Sequence, residues 1–463
     1  MEAPVRDASS TQPPASPSVS SPAARPSPLL STLDVMALVV GIVIGAGIFS
    51  APALIAANAA SLNHILIAWL VGGAISLAGA MCYAELATSY PDAGGDYQYL
   101  RRAFGEKTGF LFAWARLTII PTGSIALLGY VFGDYASQIL NLGTYSAAIY
   151  AALTVAVLTL LNLAGLRAGK WTQNCLTVLE VGGVLFIIAA GLLLGGEPTG
   201  GAVAPPGMPT ATNWGLVLIF VMLTYGGWNE AAYVSAEVVG PGRNLPRALF
   251  WSLALVTAVY LLVNLAYVKV LGLAGVAASN AVAADALRAV LGENGARIIS
   301  ALIAVSALTS ANATILTGAR TTYAFGRDEP MFRMLGRWDT RHHTPANALI
   351  AQGLIALALV ALGAATRSGF ATMVEYTAPV FWLFFVLTGI ALFVLRRREP
   401  ARRRPFRVPF YPFTPLLFCG TSAYLLYASV VHTGVGAFAG LAVLAVGVLV
   451  LLYRGRATTL PAE

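Results

Sequence analysis

Long apolar stretches follow one another along most of the chain, each about long enough to cross a lipid bilayer. An α-helix needs about 20 apolar residues to span a hydrocarbon core about 30 Å thick. The pattern predicts twelve spans, numbered in chain order: residues 33–57, 64–87, 109–138, 145–166, 171–195, 212–239, 245–271, 296–325, 346–364, 369–395, 410–431 and 434–453. An even number of spans places both termini on the same side.

The composition favours the same interpretation. Of the 463 residues, 57% are hydrophobic and only 10% are charged, whereas soluble domains carry about 25% charged residues. Lipid removes the need for a polar exterior, because a protein surface that faces hydrocarbon can be as apolar as the core. The sequence therefore predicts an all-α polytopic membrane protein.

Basic residues concentrate on one side of the predicted spans. Of the 28 Lys and Arg residues, all but five lie in the termini or around the loops that follow even-numbered spans; the exceptions are Arg116, Lys269, Arg288, Arg297 and Arg367. Short cytoplasmic loops carry an excess of Lys and Arg. We therefore expect both termini to be cytoplasmic. The net charge of +8 then reflects membrane orientation, and no nucleic-acid partner is expected.

Spans 1 and 6 carry glycines at mid-membrane depth. Span 1 contains Gly41, Gly45 and Gly47 ahead of Pro52, and span 6 contains the pair 226–227. In a helix interior, Gly costs about 1 kcal/mol and Pro about 3 kcal/mol relative to Ala. A broken helix leaves amide and carbonyl groups unpaired, which lipid does not tolerate. Either these groups line a binding site, or the glycines serve close helix packing.

The positions of the two breaks favour a binding site. Spans 1 and 6 are the first members of two five-span blocks, and interrupted helices at corresponding positions of two repeats point to a transporter's substrate site. With five spans per block, the second block must be inverted. The predicted organisation is a disordered tail at 1–30, a first block at 31–195, a second at 212–398, spans 11 and 12 at 405–453 and a C-terminal tail at 454–463.

Unpaired backbone at these breaks suits a zwitterion. The amides of Ala46, Gly47 and Ile48 would begin a half-helix, whose positive dipole end favours a carboxylate. Carbonyls near Val43 and Thr224 would suit an ammonium group. Together they would bind the head group of an α-amino acid.

Several motifs resemble those of the amino acid–polyamine–organocation (APC) transporter superfamily. The similar stretches, which are specific in combination and extend over about residues 33–430, are 45–49 in span 1, 83–86, 91–97 and 103–105 around the loop after span 2, 225–229 and 244–247 in spans 6 and 7, and 317–320 and 405–409 after spans 8 and 10. The resemblance to an amino acid permease implies a LeuT-type 5+5 inverted repeat with discontinuous helices 1 and 6, alternating access and amino acid substrates.

The resemblance also implies a set of substrate-binding residues, namely Val43, Gly45, Ala46, Gly47, Ile48, Leu223, Thr224, Gly226 and Asn229. Within it, Asn229 would reach the substrate or lock the unwound segment. Leu223 departs from the family pattern, because relatives often carry an aromatic gate at this position. Trp228, beside the break, is expected to have a gating or packing role.

Ionisable residues at membrane depth are candidates for ion coupling. Glu180 lies mid-way along span 5, where similar transporters often place a lysine. A buried carboxyl can hold a proton, which predicts proton coupling; the alternative is a structural ion pair with Arg116. Glu230 is the second candidate, for a proton or for a cationic substrate.

Hydroxyl groups on span 8 leave a second coupling ion open. Thr309 and Ser310, with the carbonyls of Gly41 and Ile44, would offer oxygen ligands to Na⁺. Ser and Thr commonly form interhelical hydrogen bonds in membrane bundles instead. The coupling ion, H⁺ or Na⁺, stays open at this point.

No motif indicates catalysis or a cofactor. The chain has no zinc-ligand constellation, nucleophile elbow, P-loop or dinucleotide fingerprint, and its three cysteines lie in apolar segments. We therefore expect a transporter and not an enzyme, with an amino acid substrate, lipid contacts and no metal. The predicted function is proton-coupled symport or exchange of neutral L-amino acids across the cytoplasmic membrane. The alternatives are polyamine or cationic amino acid transport, and an amino-acid-sensing receptor with a transporter-like fold.

Overall fold

A computed structural model describes residues 28–45, 47–195, 210–279, 281–366, 369–432 and 435–457. Within these ranges, the regular elements are sixteen α-helices, two 3₁₀ segments and one π-helical turn. The α-helices are α1 Thr32–Val43, α2 Gly47–Ala56, α3 Leu62–Ser89, α4 Asp96–Phe104, α5 Glu106–Thr118, α6 Ile120–Ile139, α7 Ser146–Leu163, α8 Leu166–Ala189, α9 Trp214–Thr224, α10 Pro241–Ala278, α11 Val282–Leu291, α12 Glu293–Asp328, α13 Ala346–Thr366, α14 Gly369–Arg398, α15 Phe413–His432 and α16 Val435–Ala457. The 3₁₀ segments are Trp228–Glu237 and Pro330–Phe332, and the π-helical turn is Ala190–Leu194.

The predicted spans correspond to these helices. In the described part of the chain, nine helical segments are long and apolar enough to cross a membrane, and they match predicted spans 2–5 and 7–11. Spans 1 and 6 are each divided in two, and α16 corresponds to span 12. The all-α polytopic fold with discontinuous first and sixth spans is therefore confirmed, while the residue limits of the two five-span blocks stay a prediction.

Two short helices were not predicted. Helix α4 lies between spans 2 and 3, and α11 lies between spans 7 and 8. Both are shorter than the apolar runs that mark a span, so the hydrophobic pattern misses them. Helix α4 has Asp96 in its first turn and Arg101 and Arg102 in its last turn, charges that complement the helix dipole.

The first span begins with a capping box and ends at mid-depth. Ser31 is the N-cap of α1, and its side chain and that of Asp34 cap each other's backbone amides. The helix ends at Val43, and α2 begins at Gly47. Just before α1, the amides of Leu29 and Leu30 both donate to the carbonyl of Glu237 at 2.8 Å. The rest of the predicted tail lies outside the described residues.

The sixth span changes helix type at its break. Helix α9 ends at Thr224, and a turn with Gly227 at φ +112° leads into the 3₁₀ segment Trp228–Glu237. This segment is ten residues long and almost entirely buried. Runs of 3₁₀ helix longer than three or four residues are uncommon, because their hydrogen-bond geometry is poor. The contacts around the segment must therefore hold it in place.

We predict that Gly227→Ala destabilises the protein. A left-handed conformation costs an L-residue about 1–2 kcal/mol, and a Cβ at Gly227 would come within 2.2 Å of Cγ2 of Ile42 across the two breaks. The thermal unfolding midpoint in detergent should fall. Gly182→Ala in α8 is the matched control, because a Cβ there meets nothing within 4 Å. Equal midpoints for the two variants would contradict the prediction.

Candidate functional site

The two breaks face each other and are joined by one side chain. The hydroxyl of Tyr260, on α10, lies 2.6 Å from the carbonyl of Val43 and 3.2 Å from that of Thr224. A hydroxyl has one proton, so it can donate fully to only one of these carbonyls at a time. Each carbonyl has two acceptor positions. Acceptor capacity therefore remains at both carbonyls, and its use by a ligand stays a prediction.

A cavity of about 310 Å³ lies at the breaks. Its backbone-rich wall is formed by four residues of spans 1 and 6: Ile42, Gly45, Gly226 and Gly227. The polar lining residues are Arg116, Ser124, Asn229, Glu230, Ser310, Thr314 and Thr377, and the apolar ones are Ile120, Pro121, Leu127, Leu128, Leu223, Phe381 and Trp382. The cavity thus has polar groups at the breaks and on span 8, with apolar side walls from α6 and α14.

The residues predicted to bind substrate separate into two groups. Four of them line the cavity: Gly45, Leu223, Gly226 and Asn229. Others lie behind it, namely the buried Val43, Ile48 and Thr224, with Gly47 packed against Thr224. The hydroxyl of Thr224 donates to the carbonyl of Phe220 within its own helix. The group of Thr224 that faces the first break is therefore its backbone carbonyl. Ala46 lies outside the described residues.

Some site residues were missed by the sequence analysis. Phe381 and Trp382 on α14 form part of the cavity wall, and Tyr260 on α10 ties the breaks together. Their spans carry no glycine break next to these positions. Pro379, two residues before Phe381, is the one local signal, because proline removes a helical hydrogen bond.

The glycines of span 1 serve both of the roles considered for them. Gly41 packs tightly: a Cβ there would lie 2.5 Å from Thr177 and from Thr309. Gly45, in contrast, lines the cavity. Close packing therefore applies at the start of the motif and ligand access at the break.

The floor of the cavity is an ion pair. Nη1 of Arg116 lies 2.8 Å from Oε1 of Glu230, and Nη2 lies 3.0 Å from Oε2. The hydroxyl of Thr317 donates to Oε2 at 2.5 Å, and the guanidinium lies 4.0 Å from the centroid of the Tyr233 ring. Because both charges are paired, this floor is polar and close to neutral. The alternative pairing of Arg116 with Glu180 was wrong.

Glu180 is buried without a partner. Its side chain is 2% exposed, and neither carboxyl oxygen has a hydrogen-bond partner among the described residues. The neighbouring hydroxyl of Ser306 directs its single proton at the carbonyl of Ile44, at 2.7 Å, at the end of the first half-helix. An isolated carboxylate is expensive to bury, so this environment favours a neutral, proton-bearing carboxyl.

The hydroxyls considered for Na⁺ are used within the protein. Ser310 donates to the carbonyl of Gly41 at 2.9 Å, and Thr309 donates to Val305 within α12 at 2.8 Å. Ser306 likewise donates to the carbonyl of Ile44 at 2.7 Å. Interhelical hydrogen bonds are therefore present between span 8 and span 1, and sodium binding by the same oxygens, which keep free lone pairs, stays a prediction.

Three layers of polar contacts close the side that carries the basic loops. Tyr233 donates to Asp96 at 2.5 Å. Arg320 and Glu237 form an ion pair in which both side chains are almost fully buried. At the end of span 2, Glu85 accepts from Arg396 of α14 and from the amide of residue 408. The cavity is therefore sealed on this side.

Asp96, in the innermost layer, has a shifted pKa. Burial raises the pKa of Asp96 from 3.8 to about 6, although the hydrogen bond from Tyr233 opposes the shift. Opening this layer would hydrate the carboxyl and return its pKa toward 3.8. The closed form would then bind the proton more tightly, and we expect opening to become easier as the pH rises from about 4 to about 6.

Trp228 has a packing role in this conformation. Its ring lies 5.2 Å from Tyr83, 5.6 Å from Phe385 and 6.0 Å from Phe418, centroid to centroid. This aromatic cluster joins the 3₁₀ segment to α3, α14 and α15. The tryptophan is 3% exposed and does not line the cavity described above.

We predict that Tyr260→Phe weakens amino acid binding about tenfold. Removing the hydroxyl takes away the hydrogen bond that fixes the two breaks relative to each other, and the less preorganised site should lose about 1–1.5 kcal/mol of binding free energy. Binding of labelled amino acid to purified protein measures the change. Tyr267→Phe on the same helix is the control, because the hydroxyl of Tyr267 has no partner in the described structure. Wild-type affinity in Tyr260→Phe would disprove the role of this bridge.

Comparison with known proteins adds an independent observation. The b(0,+)-type amino acid transporter 1 of Rattus norvegicus is 31% identical over 408 residues, which cover 87% of this chain and 82% of that protein. The large neutral amino acids transporter small subunit 2 of Homo sapiens is 32% identical over 422 residues, 89% of this chain and 77% of that protein. The serine/threonine exchanger SteT of Bacillus subtilis (strain 168) is 29% identical over 405 residues, 87% of this chain and 91% of that protein.

A family model described as amino acid permease matches residues 30–452. The matched region contains both breaks, the cavity and the closing layers. This chain therefore belongs to the amino acid permease family of the APC superfamily, and its activity is amino acid transport.

Proposed function

We propose that this protein exchanges neutral L-amino acids across the cytoplasmic membrane by alternating access. The observation that carries the proposal is the cavity at the two helix breaks, whose only charged lining residues in the described structure are a mutually neutralised pair, Arg116 and Glu230. A zwitterionic head group adds no net charge to such a site. The backbone at the breaks supplies donors and acceptors for its two ends.

The paired floor argues against the cationic alternatives. A polyamine or a cationic side chain needs an unpaired anion or a set of free acceptors. Both oxygens of Glu230 are bound by Arg116, and one also accepts from Thr317.

The described conformation fits one state of an alternating-access cycle. Buried ion pairs close the side of the basic loops, and the positive-inside rule makes that side cytoplasmic. The described state would then be closed to the cytoplasm, with both termini inside. These pairs would hold this side closed until substrate binding favours the other state.

The mode of transport that we propose is exchange. One relative is a serine/threonine exchanger by name, which supports the same mode. In this proposal, outward movement of one amino acid drives inward movement of another.

We predict that uptake of labelled neutral amino acid into proteoliposomes requires unlabelled amino acid inside. Uptake should rise severalfold over empty vesicles, and replacing Na⁺ with K⁺ should leave it unchanged. Lysine and putrescine inside should fail to support uptake. Saturable binding without any flux would instead indicate an amino-acid-sensing receptor, and sodium-driven uptake into empty vesicles would contradict exchange.

Proton coupling is a second candidate mode, which the unpartnered carboxyl of Glu180 favours. In this mode, a proton on Glu180 would travel with the substrate. Glu180 lies next to Ser306, whose hydroxyl donates to the carbonyl of Ile44 at the end of the first half-helix, so a change at the break would reach the carboxyl. Exchange does not require net proton movement. A single variant can therefore distinguish exchange from proton-coupled transport.

The variant Glu180→Gln tests whether Glu180 carries the coupled proton. The amide keeps the size of the side chain but cannot release a proton near neutral pH. If protons are coupled, an inward pH gradient drives accumulation in the wild type, and we expect Glu180→Gln to abolish this accumulation while counter-exchange continues. Accumulation that is unchanged in Glu180→Gln would exclude Glu180 as the coupling group.

A further inference from the structure

Four exposed arginines on the side of the basic loops have no ion-pair or hydrogen-bond partner for their side chains among the described residues. We call them the basic patch; they are Arg243, Arg247, Arg403 and Arg407. Arginines nearby are used within the protein, since Arg396 and Arg404 both reach Glu85. The positive-inside rule explains why arginines lie on this side, but it does not require them to stay unpaired. The basic patch can therefore bind an anion from outside the chain.

Helix α10 carries two of these arginines at the start of an apolar outer face. Arg243 and Arg247 are four residues apart, so they are neighbours on one side of the helix. The exposed positions of the following turns are all apolar, namely Phe250, Trp251, Ala254, Leu255, Ala258 and Leu262. From Arg247 to Trp251 the helix rises about 6 Å, and tryptophan is typical of the membrane interface. The two arginines therefore lie at the level of lipid headgroups, directly beside a surface suited to acyl chains.

The loop after span 10 brings the other two arginines to the same end of α10. A Cβ at Gly242 would lie 2.8 Å from Cβ of Pro405, so this loop packs against the first turn of α10. Arg403 and Arg407 flank Pro405 at a distance of two residues on either side. Because Gly242 directly precedes Arg243, the loop and the helix contribute arginines to one corner of the protein.

Contacts with span 2 hold this loop in place. Arg402 donates to the carbonyl of Ser89 at 3.0 Å, and the amide of Val408 donates to Glu85 at 2.6 Å. The loop is therefore fixed on both sides of Pro405, and the arginines that it carries start from a defined backbone. A preorganised site loses less free energy to ordering when its ligand binds.

No acidic residue neutralises the basic patch from its own segments. Residues 238–284 and 400–462 contain neither Asp nor Glu. The carboxylates just before these segments are engaged, since Glu237 is paired with Arg320 and Glu399 accepts from Tyr90 at 3.0 Å. Basic clusters beside the cytoplasmic ends of membrane spans attract anionic headgroups, and guanidinium groups bind phosphate through two parallel hydrogen bonds. A soluble anion would use the charge but not the apolar face of α10.

We propose that the basic patch binds the headgroup of an anionic phospholipid, whose acyl chains lie along the apolar outer face of α10. The phosphate would lie between the first turns of α10 and the loop around Pro405, and Trp251 would lie at the boundary between headgroup and acyl chains. The basic patch is separate from the cavity at the helix breaks. Lipid binding can therefore be measured without amino acid transport, and its failure would leave the proposed exchange function untouched.

Thermal unfolding in an uncharged detergent tests the headgroup, because a ligand that binds the folded protein raises the unfolding midpoint. Phosphatidylglycerol is compared with phosphatidylcholine that has the same acyl chains. The concentration that gives half of the maximal rise should be at least tenfold lower for phosphatidylglycerol, and equal concentrations would overturn the proposal. Inorganic phosphate should leave the midpoint unchanged. A rise with phosphate equal to that with phosphatidylglycerol would indicate a site for a soluble anion and would also overturn it.

Two double variants divide the basic patch. Arg243→Gln with Arg247→Gln removes the charges on α10, and a second variant, Arg403→Gln with Arg407→Gln, removes those on the loop. Each should raise the half-maximal concentration of phosphatidylglycerol about tenfold or more, because each basic residue near the headgroup adds to the attraction. The midpoint without lipid reports folding and should stay near that of the wild type, since all four side chains are exposed. A wild-type response to lipid in either variant would overturn the assignment of that half.

A matched control removes two exposed arginines elsewhere on the same side. Arg333 and Arg337 lie four residues apart in the loop after span 8. Arg333→Gln with Arg337→Gln lowers the net charge as much as either test variant. Its half-maximal concentration of phosphatidylglycerol should stay at the wild-type value. A loss as large as that of the test variants would show that overall positive charge attracts the lipid, and would overturn a site at the basic patch.

Discussion

Unpaired backbone in the middle of a membrane is the constraint on which this structure depends. Lipid offers no hydrogen bonds, so each amide and carbonyl freed by a broken helix needs a partner within the protein or in a ligand. Side-chain hydroxyls meet most of this need, since Tyr260, Ser306 and Ser310 all donate to carbonyls of the first break. The remaining capacity faces the cavity. The breaks can therefore persist without substrate and still bind one.

The second constraint is the burial of charge near those breaks. A lone charge at this depth would be costly, and the chain avoids it by placing Arg116 and Glu230 in bidentate contact. A buried pair of this kind adds little stability compared with apolar residues of similar volume. Its value lies in orientation, because it fixes the polar atoms that surround it. A neutral but polar floor is suited to selecting among uncharged amino acids.

The sequence predicted the parts of this arrangement that depend on local pattern. Hydrophobic run length located the spans, and the glycines at 45, 47, 226 and 227 located both breaks. Which side chains meet across helices depends on helix rotation and packing, which no local pattern specifies. For that reason the sequence suggested an ion pair between Arg116 and Glu180, whereas Arg116 pairs with Glu230. Nothing in the sequence pointed to Tyr260, whose hydroxyl joins the two breaks.

The 3₁₀ segment links the cavity to the closed side. In such a helix, residues three apart lie one above the other, which explains how Arg116 contacts both Glu230 and Tyr233. The same segment carries Tyr233 to Asp96 and ends at Glu237, which is paired with Arg320. A ligand that shifts the Arg116–Glu230 pair must therefore shift the segment whose far end closes the cavity. Because the segment's own hydrogen bonds are poor, it can follow that shift more readily than an α-helix could.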